Sequence, residues 1–101
     1  MAEFITEKIS HPTHYNIKGK RECIVAIRED YGDFVAAVFC LTNAYKYLYR
    51  AGNKQGESVD DDIAKARWYF DYHKKLSYVF NNDVLKLYKY VEKELKKYDK
   101  G

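Results

Sequence analysis

A chain of 101 residues that is 47% hydrophobic and 33% charged has room for one domain with one modest core, and this composition excludes a disordered protein. The single Pro and five Gly argue against a turn-rich β sandwich, and the net charge of +3 falls short of the dense basic surface of a duplex-DNA-binding protein. No apolar run approaches the ~20 residues of a membrane span, and no signal peptide is evident, so we expect a cytoplasmic protein.

The N-terminal fifth of the chain shows no helical periodicity. We expect residues 1–20 to form an extended arm that lies over the domain. A first short helix is predicted over about 21–30, and Gly32 is expected to end it. Its predicted inward residues are Cys23, Ile24 and Ile27. Because Cys23 and Cys40 lie among apolar neighbours, we expect both to be buried free thiols in a reducing compartment rather than a disulfide.

The second predicted helix runs from Phe34 to about Arg50 and is capped by Asp33. Apolar residues at intervals of four and three predict its inward stripe: Phe34, Val38, Leu41, Tyr45 and Leu48. A polar face lies nearly opposite: Asn43, Lys46, Tyr47 and Arg50. Its two cations repel each other at i, i+4, and Lys54 follows in the Gly-rich loop over 52–57. We expect this end of the helix to hold an anion; an ordinary solvated surface is the alternative.

The third helix is predicted to begin at Ser58 or Asp60 and to run to about Val79. Three consecutive aspartates suit its N-terminus, where the helix dipole favours negative charge. The predicted inward face carries Ala66, Tyr69, Tyr72, His73 and Leu76, and the predicted solvated charges are Arg67, Asp71, Lys74 and Lys75. Asp62 and Lys65 fall on the inward face, which makes Asp62 a better functional candidate than the aspartates that precede it.

A fourth helix is predicted from the cap at 81–83 to about Tyr98. Its apolar residues form a two-heptad seam: Val84, Tyr88, Val91, Leu95 and Tyr98. This seam indicates either packing within the chain or a contact between copies.

These four predicted helices make the fold class all-α: a small bundle of about four helices with an extended N-terminal arm, expected to be oligomeric. We predict one domain, made of the arm (1–20), a core (21–79) and a C-terminal helix (82–99).

Common enzyme signatures are absent from the sequence. The loop Gly52–Gly56 lacks the P-loop pattern, and the paired carboxylates of the small all-α nucleotide pyrophosphatases do not occur. His11 and His14 lack the second ligand pair of a structural zinc site, so no metal site is predicted. His14 and Tyr15 fit a ligand lid or an ordinary surface turn.

Four segments in this order resemble a known family: His14-Tyr15, Glu22-Cys23-Ile24, Asn43–Gly52 and Asp62–Tyr69. They are similar to small tailed-phage proteins of the SaV-like domain-of-unknown-function family, over about residues 11–76. Members are often labelled nucleotide kinases, after a longer short-tailed coliphage protein that phosphorylates deoxynucleoside monophosphates without a P-loop. The resemblance implies ligand-binding roles for His14, Tyr15, Asn43, Lys46, Tyr47, Arg50, Lys54, Asp62, Lys65 and Tyr69. This chain departs at Thr42, where the family has Gly, and at Asp61, where it has Glu.

Three functions are consistent with this sequence. The first is a phage-encoded protein that binds a linear or cyclic nucleotide without catalysis, and so sequesters a nucleotide signal of host antiviral defence in the host cytoplasm. Cations would hold the phosphates, tyrosines would stack on the base, and it would need no cofactor. The second is a deoxynucleoside monophosphate kinase without a P-loop, in which Asp62 would hold Mg²⁺. The third is an inhibitor of a host protein that uses the tyrosine-rich surface. We expect a homo-oligomer, and no membrane or duplex-DNA partner; whether the protein is an enzyme stays open.

Overall fold

A computed structural model describes residues 21–51, 53 and 58–99, and this part of the chain forms four α-helices and no strand. They are α1 (Cys23–Tyr31), α2 (Asp33–Arg50), α3 (Val59–His73) and α4 (Asn82–Lys96). Helix α2 is central, because it packs most extensively on α3 and also contacts α1 and α4. The predicted all-α bundle is confirmed, whereas the predicted arm and most of the 52–57 loop lie outside the described residues. None of the described helices is long and apolar enough to cross a membrane.

The junction between α1 and α2 is a tight turn at Gly32, as predicted. Its φ of 95° is strained for residues with a side chain, and its backbone N–H donates to the Arg28 carbonyl at 2.9 Å. The prediction that Asp33 caps α2 is wrong, since Gly32 occupies the cap position. The Asp33 carboxylate instead accepts bonds from the Ser77 backbone N–H (2.7 Å) and Arg28 Nε (2.9 Å). These donors hold the pKa of Asp33 below its usual value and tie α1 and the α3–α4 connection to the start of α2.

Side-chain caps begin α3 and α4 where the sequence predicts them. Ser58 Oγ accepts from the Asp61 backbone N–H at 3.0 Å, and Asn81 Oδ1 accepts from the Val84 backbone N–H at 2.8 Å. Helix α3 ends at His73 instead of continuing to about Val79. Backbone bonds to the third preceding residue tighten its last turn, and the chain then turns back so that aromatic side chains after the helix cover its end.

Removing the cap of α4 should destabilise the protein measurably. Asn81→Ala deletes the acceptor for the Val84 N–H, and we expect a loss of about 1 kcal/mol in the free energy of unfolding. Urea denaturation followed by circular dichroism measures this loss. The matched control is Asn82→Ala, because Asn82 is also exposed but is the first residue of the helix rather than its cap. Equal stability of the two variants would contradict this assignment.

The buried side of α2 differs from the predicted stripe. Its buried residues are Ala36, Ala37, Cys40, Leu41, Ala44 and Tyr47. Of the predicted stripe only Leu41 is buried, and the prediction is wrong for Phe34 and Tyr45, which are exposed. The reason is that four of these six residues are Ala or Cys, whose small side chains contribute little to an apolar pattern. As a consequence Tyr47, predicted on the polar face, lies in the core.

The two cysteines differ in environment. Cys40 is buried as predicted, and burial raises the pKa of its thiol to about 12, which makes it an inert core residue. The prediction of a buried Cys23 is wrong, because this residue is exposed at the first position of α1. Both are free thiols, as predicted.

An aromatic cluster surrounds the end of α3. His73 is buried, and its ring lies 5.6 Å from Phe70, 5.5 Å from Tyr78 and 5.2 Å from Tyr88, measured between centroids. Its Nδ1 lies 3.3 Å from the Phe70 carbonyl oxygen. Burial lowers the pKa of His73, because the charged imidazolium is poorly solvated there.

This lowered pKa predicts a pH dependence of stability. The unfolded chain takes up a proton at His73 near the ordinary pKa of 6.5, before the folded chain does, so stability falls as the pH drops below about 6.5. Urea unfolding at pH 7.5 and pH 5.5 should show a smaller fall for His73→Phe than for the wild type. This window lies above the range in which Asp33, with its lowered pKa, protonates. Equal falls in both proteins would refute the role of His73.

Candidate anion site between helices α2 and α3

A pair of buried tyrosine rings forms the base of the candidate site. Tyr47 of α2 and Tyr69 of α3 are only 4% and 6% exposed, and their rings stack with centroids 6.1 Å apart and an interplanar angle of 12°. Phe39, one turn before Asn43 on α2, meets the Tyr69 ring edge-on at 6.0 Å. These contacts across the largest helix interface hold the Tyr47 ring in one orientation.

Three cations surround this one ring. The Nζ atoms of Lys46 and Lys65 lie 4.5 and 5.5 Å from the Tyr47 ring centroid, and the Arg50 guanidinium carbon lies 5.5 Å from it. Each distance is within the range of a cation–π contact, which contributes about 0.5–1 kcal/mol at exposed sites. The ring thus gathers cations from two helices, and such a grouping of like charges suits a bound anion.

Asp62 lies at the N-terminal turn of α3, one turn before Lys65. Its carboxylate is fully buried, as its predicted inward position implies. Burial of a charged group is costly unless opposite charge or dipoles stabilise it, and the N-terminus of α3 supplies a favourable dipole. None of the surface of Asp62 is exposed, so in this structure its carboxylate is not open to a ligand.

Asn43 completes the α2 side of the site. Its Nδ2 donates to the Phe39 carbonyl oxygen at 2.8 Å, which fixes the side chain along the helix and uses one of its two donors. Asn43 lies one turn before Lys46 and Tyr47, which places this residue next to the cation cluster along the helix.

The structure thus brings together five of the predicted site residues: Lys46, Tyr47, Arg50, Lys65 and Tyr69. Asn43 and Asp62 lie one turn before this cluster on α2 and α3. The other three, His14, Tyr15 and Lys54, lie outside the described residues. Phe39 supports the ring pair and was not predicted; its i, i+4 spacing from Asn43 was the available signal. Arg67 was predicted to be an ordinary solvated charge, yet it pairs with Asp99 at 2.9 Å and bonds the Leu95 carbonyl, which joins α3 to the end of α4.

No cluster of three or more metal-ligating side chains occurs among the residues that the structure describes. The prediction that Mg²⁺ serves a kinase reaction therefore stays a prediction. Tyr47 and Tyr69 are buried against each other, so neither ring presents an open face to solvent in this structure.

The fold and the site define a small all-α domain with a cation–aromatic cluster between its two main helices. The chain belongs to DUF3310, a family of proteins of unknown function, whose model matches residues 9–71. All ten predicted site residues lie within this match, whereas α4 lies beyond it.

One curated relative, from a phage, is similar to this chain over most of its length. The chain is 33% identical over 78 residues to the Gene 1.7 protein of Enterobacteria phage T3, which covers 73% of this chain and 48% of the relative. The chain therefore spans about half the length of that protein, and the match supports a phage origin. No solved structure matches the chain.

Proposed function

We propose that this protein binds a nucleotide through its phosphate groups, at the cluster formed by Lys46, Arg50 and Lys65 around Tyr47. The observation that carries the proposal is the convergence of three cations from two helices on one buried ring. Solvated surface charges usually spread apart, because like charges repel. A phosphate group fits this arrangement, since a guanidinium binds it in a bidentate manner and the two ammonium groups add point charges.

The choice of a nucleotide over inorganic phosphate depends on the family resemblance and on the polar residue next to the cluster. Asn43 has amide chemistry suited to a sugar hydroxyl or a base edge. We expect His14, Tyr15 and Lys54 to contribute to the same ligand, and a neighbouring copy in a homo-oligomer to supply further walls of the site.

We further propose that the protein holds its nucleotide without converting it, and so removes a nucleotide signal of antiviral defence in the infected cell. Binding requires only complementarity to one ligand, whereas a kinase must enclose a donor and an acceptor together. The phage origin supports this role. Phosphorylation of a deoxynucleoside monophosphate is the catalytic alternative, and inhibition of a host protein is the alternative without a nucleotide.

Thermal-shift screening against mono-, di-, tri- and cyclic nucleotides, with and without Mg²⁺, tests the proposal. A ligand present at 100 times its Kd adds about 2.7 kcal/mol, a rise in Tm on the order of 10 °C for a domain of this size. Recovery of the ligand unchanged supports sequestration, and its recovery with an added phosphoryl group supports the kinase instead. No shift with any nucleotide overturns both and leaves inhibition of a host protein.

A further inference from the structure

The outer face of α4 carries a row of lysines. Lys86, Lys89, Lys93 and Lys96 recur at intervals of three, four and three, nearly opposite the buried Val84, Val91 and Leu95. All four are exposed, and within the part of the chain that the structure describes none of them forms an ion pair. Neighbouring lysines at these spacings repel each other, so the row favours an anionic partner.

Among the described residues, the acidic side chains of α4 form no ion pair with this row. The Glu92 carboxylate accepts a bond from the Tyr88 hydroxyl at 3.3 Å, and Glu94 pairs with Lys97 at 3.0 Å. Asp83 lies in the first turn, where it complements the helix dipole. Glu92 lies one turn from both Lys89 and Lys96 and offsets part of the charge, but four lysines along about three turns leave this face of α4 with a net positive charge.

Three exposed tyrosine rings lie beside the lysine row. Tyr45 and Tyr49 of α2 stack in parallel with centroids 6.3 Å apart, and Tyr90 of α4 lies 5.3 Å from Tyr45. Their exposed fractions are 41%, 73% and 44%, so much of each ring is open to solvent. Lys86 and Lys93 lie one turn before and one turn after Tyr90, which places lysine side chains next to the rings.

We propose that this surface binds single-stranded nucleic acid, with bases stacked on Tyr45, Tyr49 and Tyr90 and phosphates held by the lysine row. Exposed aromatic rings beside a basic track are the elements by which proteins bind single strands without sequence preference. A duplex does not fit as well, because its base faces are hidden within the helical stack. The site is distinct from the Tyr47 cluster, which faces α3, and goes beyond the function proposed above.

Two other occupants fit this surface less well. The apolar side of α4 is buried in the core, so the helix has no apolar face left to insert into a lipid surface. In a two-fold contact between copies of this chain the same patch meets itself, which would set one lysine row against another. A single strand matches both the charge and the rings.

Fluorescence anisotropy with a labelled 12-nucleotide oligothymidylate tests the proposal, at several NaCl concentrations and with a duplex of equal length for comparison. The logarithm of the binding constant should fall linearly with the logarithm of salt concentration, by about 0.7 per phosphate contacted. The variant Lys86→Gln/Lys93→Gln should flatten this slope by about 1.4. The matched control Lys74→Gln/Lys75→Gln, which removes the same charge from exposed positions after α3, should leave the slope unchanged.

The aromatic contribution is tested at the most exposed ring. Tyr49→Ala should weaken binding of the oligonucleotide roughly 5- to 150-fold, and Tyr49→Phe should retain it, because stacking requires the ring and not the hydroxyl. No binding at low salt, stronger binding of the duplex, or full binding by Tyr49→Ala would each overturn the proposal. Binding of vesicles with anionic lipids but not of the oligonucleotide would also overturn it, in favour of a membrane partner.

The two proposed sites can be tested independently of each other. Arg50→Ala should weaken mononucleotide binding and leave oligonucleotide binding unchanged, whereas Tyr49→Ala should weaken oligonucleotide binding and leave mononucleotide binding unchanged. Circular dichroism establishes that each variant is folded. Loss of both activities in both variants would contradict the assignment of two separate surfaces.

Discussion

Leu41→Ala should lower the free energy of unfolding by about 3 kcal/mol, within the range of about 2–5 kcal/mol typical of buried Leu→Ala changes. Leu41 is fully buried on α2, the helix that contacts α1, α3 and α4. Its removal leaves a cavity that the surrounding helices can fill only in part. Against a total stability of about 5–15 kcal/mol, the loss is a large fraction.

Urea denaturation followed by circular dichroism measures this effect. Val79→Ala is the matched control, because Val79 is 86% exposed and its truncation should change stability by less than about 0.5 kcal/mol. A loss below about 1 kcal/mol for Leu41→Ala would show that α2 is not the centre of the core.

Arg50→Ala should weaken the binding of the nucleotide identified by thermal-shift screening about 10- to 100-fold. The guanidinium is half-buried beside Tyr47, where a charge-assisted bond to phosphate contributes about 1.5–3 kcal/mol. Arg50→Lys keeps the charge but loses bidentate geometry, so we expect it to restore part of the affinity. Isothermal titration calorimetry compares the three proteins.

A cation–aromatic pair outside the site provides the control for this experiment. The Lys74 ammonium lies 4.8 Å from the Phe70 ring centroid, so Lys74→Ala removes a similar contact far from the cluster around Tyr47. We expect wild-type affinity for this variant. Equal weakening by Lys74→Ala and Arg50→Ala would indicate a non-specific effect of net charge, and unchanged binding by Arg50→Ala would remove Arg50 from the site.

Helix boundaries could be predicted where a local signal sets them. Ser58 and Asn81 each supply a side-chain acceptor for the first turn of a helix, and Gly32 supplies the backbone conformation that ends one. These signals act over a few residues and need no knowledge of the tertiary structure. The end of α3 could not be predicted in this way, because it depends on how the segment after His73 packs on the aromatic cluster.

The buried face of α2 could not be predicted from large apolar residues. A central helix is covered on several sides, and here the buried residues include Ala36, Cys40 and Ala44, whose small side chains give a weak apolar pattern. The predicted polar face was correct in grouping Lys46 and Arg50 but wrong in placing Tyr47 at the surface. Spacing along one helix cannot tell which side its neighbours cover.

The candidate site combines a local and a long-range part. The i, i+3, i+4 and i+7 spacing of Asn43, Lys46, Tyr47 and Arg50 is a property of one helix, and it was evident in the sequence. The approach of Lys65 to the Tyr47 ring depends on the packing of α3 against α2. The sequence pattern placed Lys65 on the inward face of its helix, and the family resemblance gave it a ligand-binding role. The contributions of His14, Tyr15 and Lys54 stay predictions.

The central claim is that the cations around Tyr47 bind the phosphates of a nucleotide. Titration of the ¹⁵N-labelled protein with the responding nucleotide, followed by two-dimensional NMR, tests it most directly. We predict that the largest chemical-shift changes occur at the backbone amides of residues 46–50, at Lys65 and at the Arg50 side-chain Nε–H. Changes confined to α4, or no changes at saturating nucleotide, would contradict the claim.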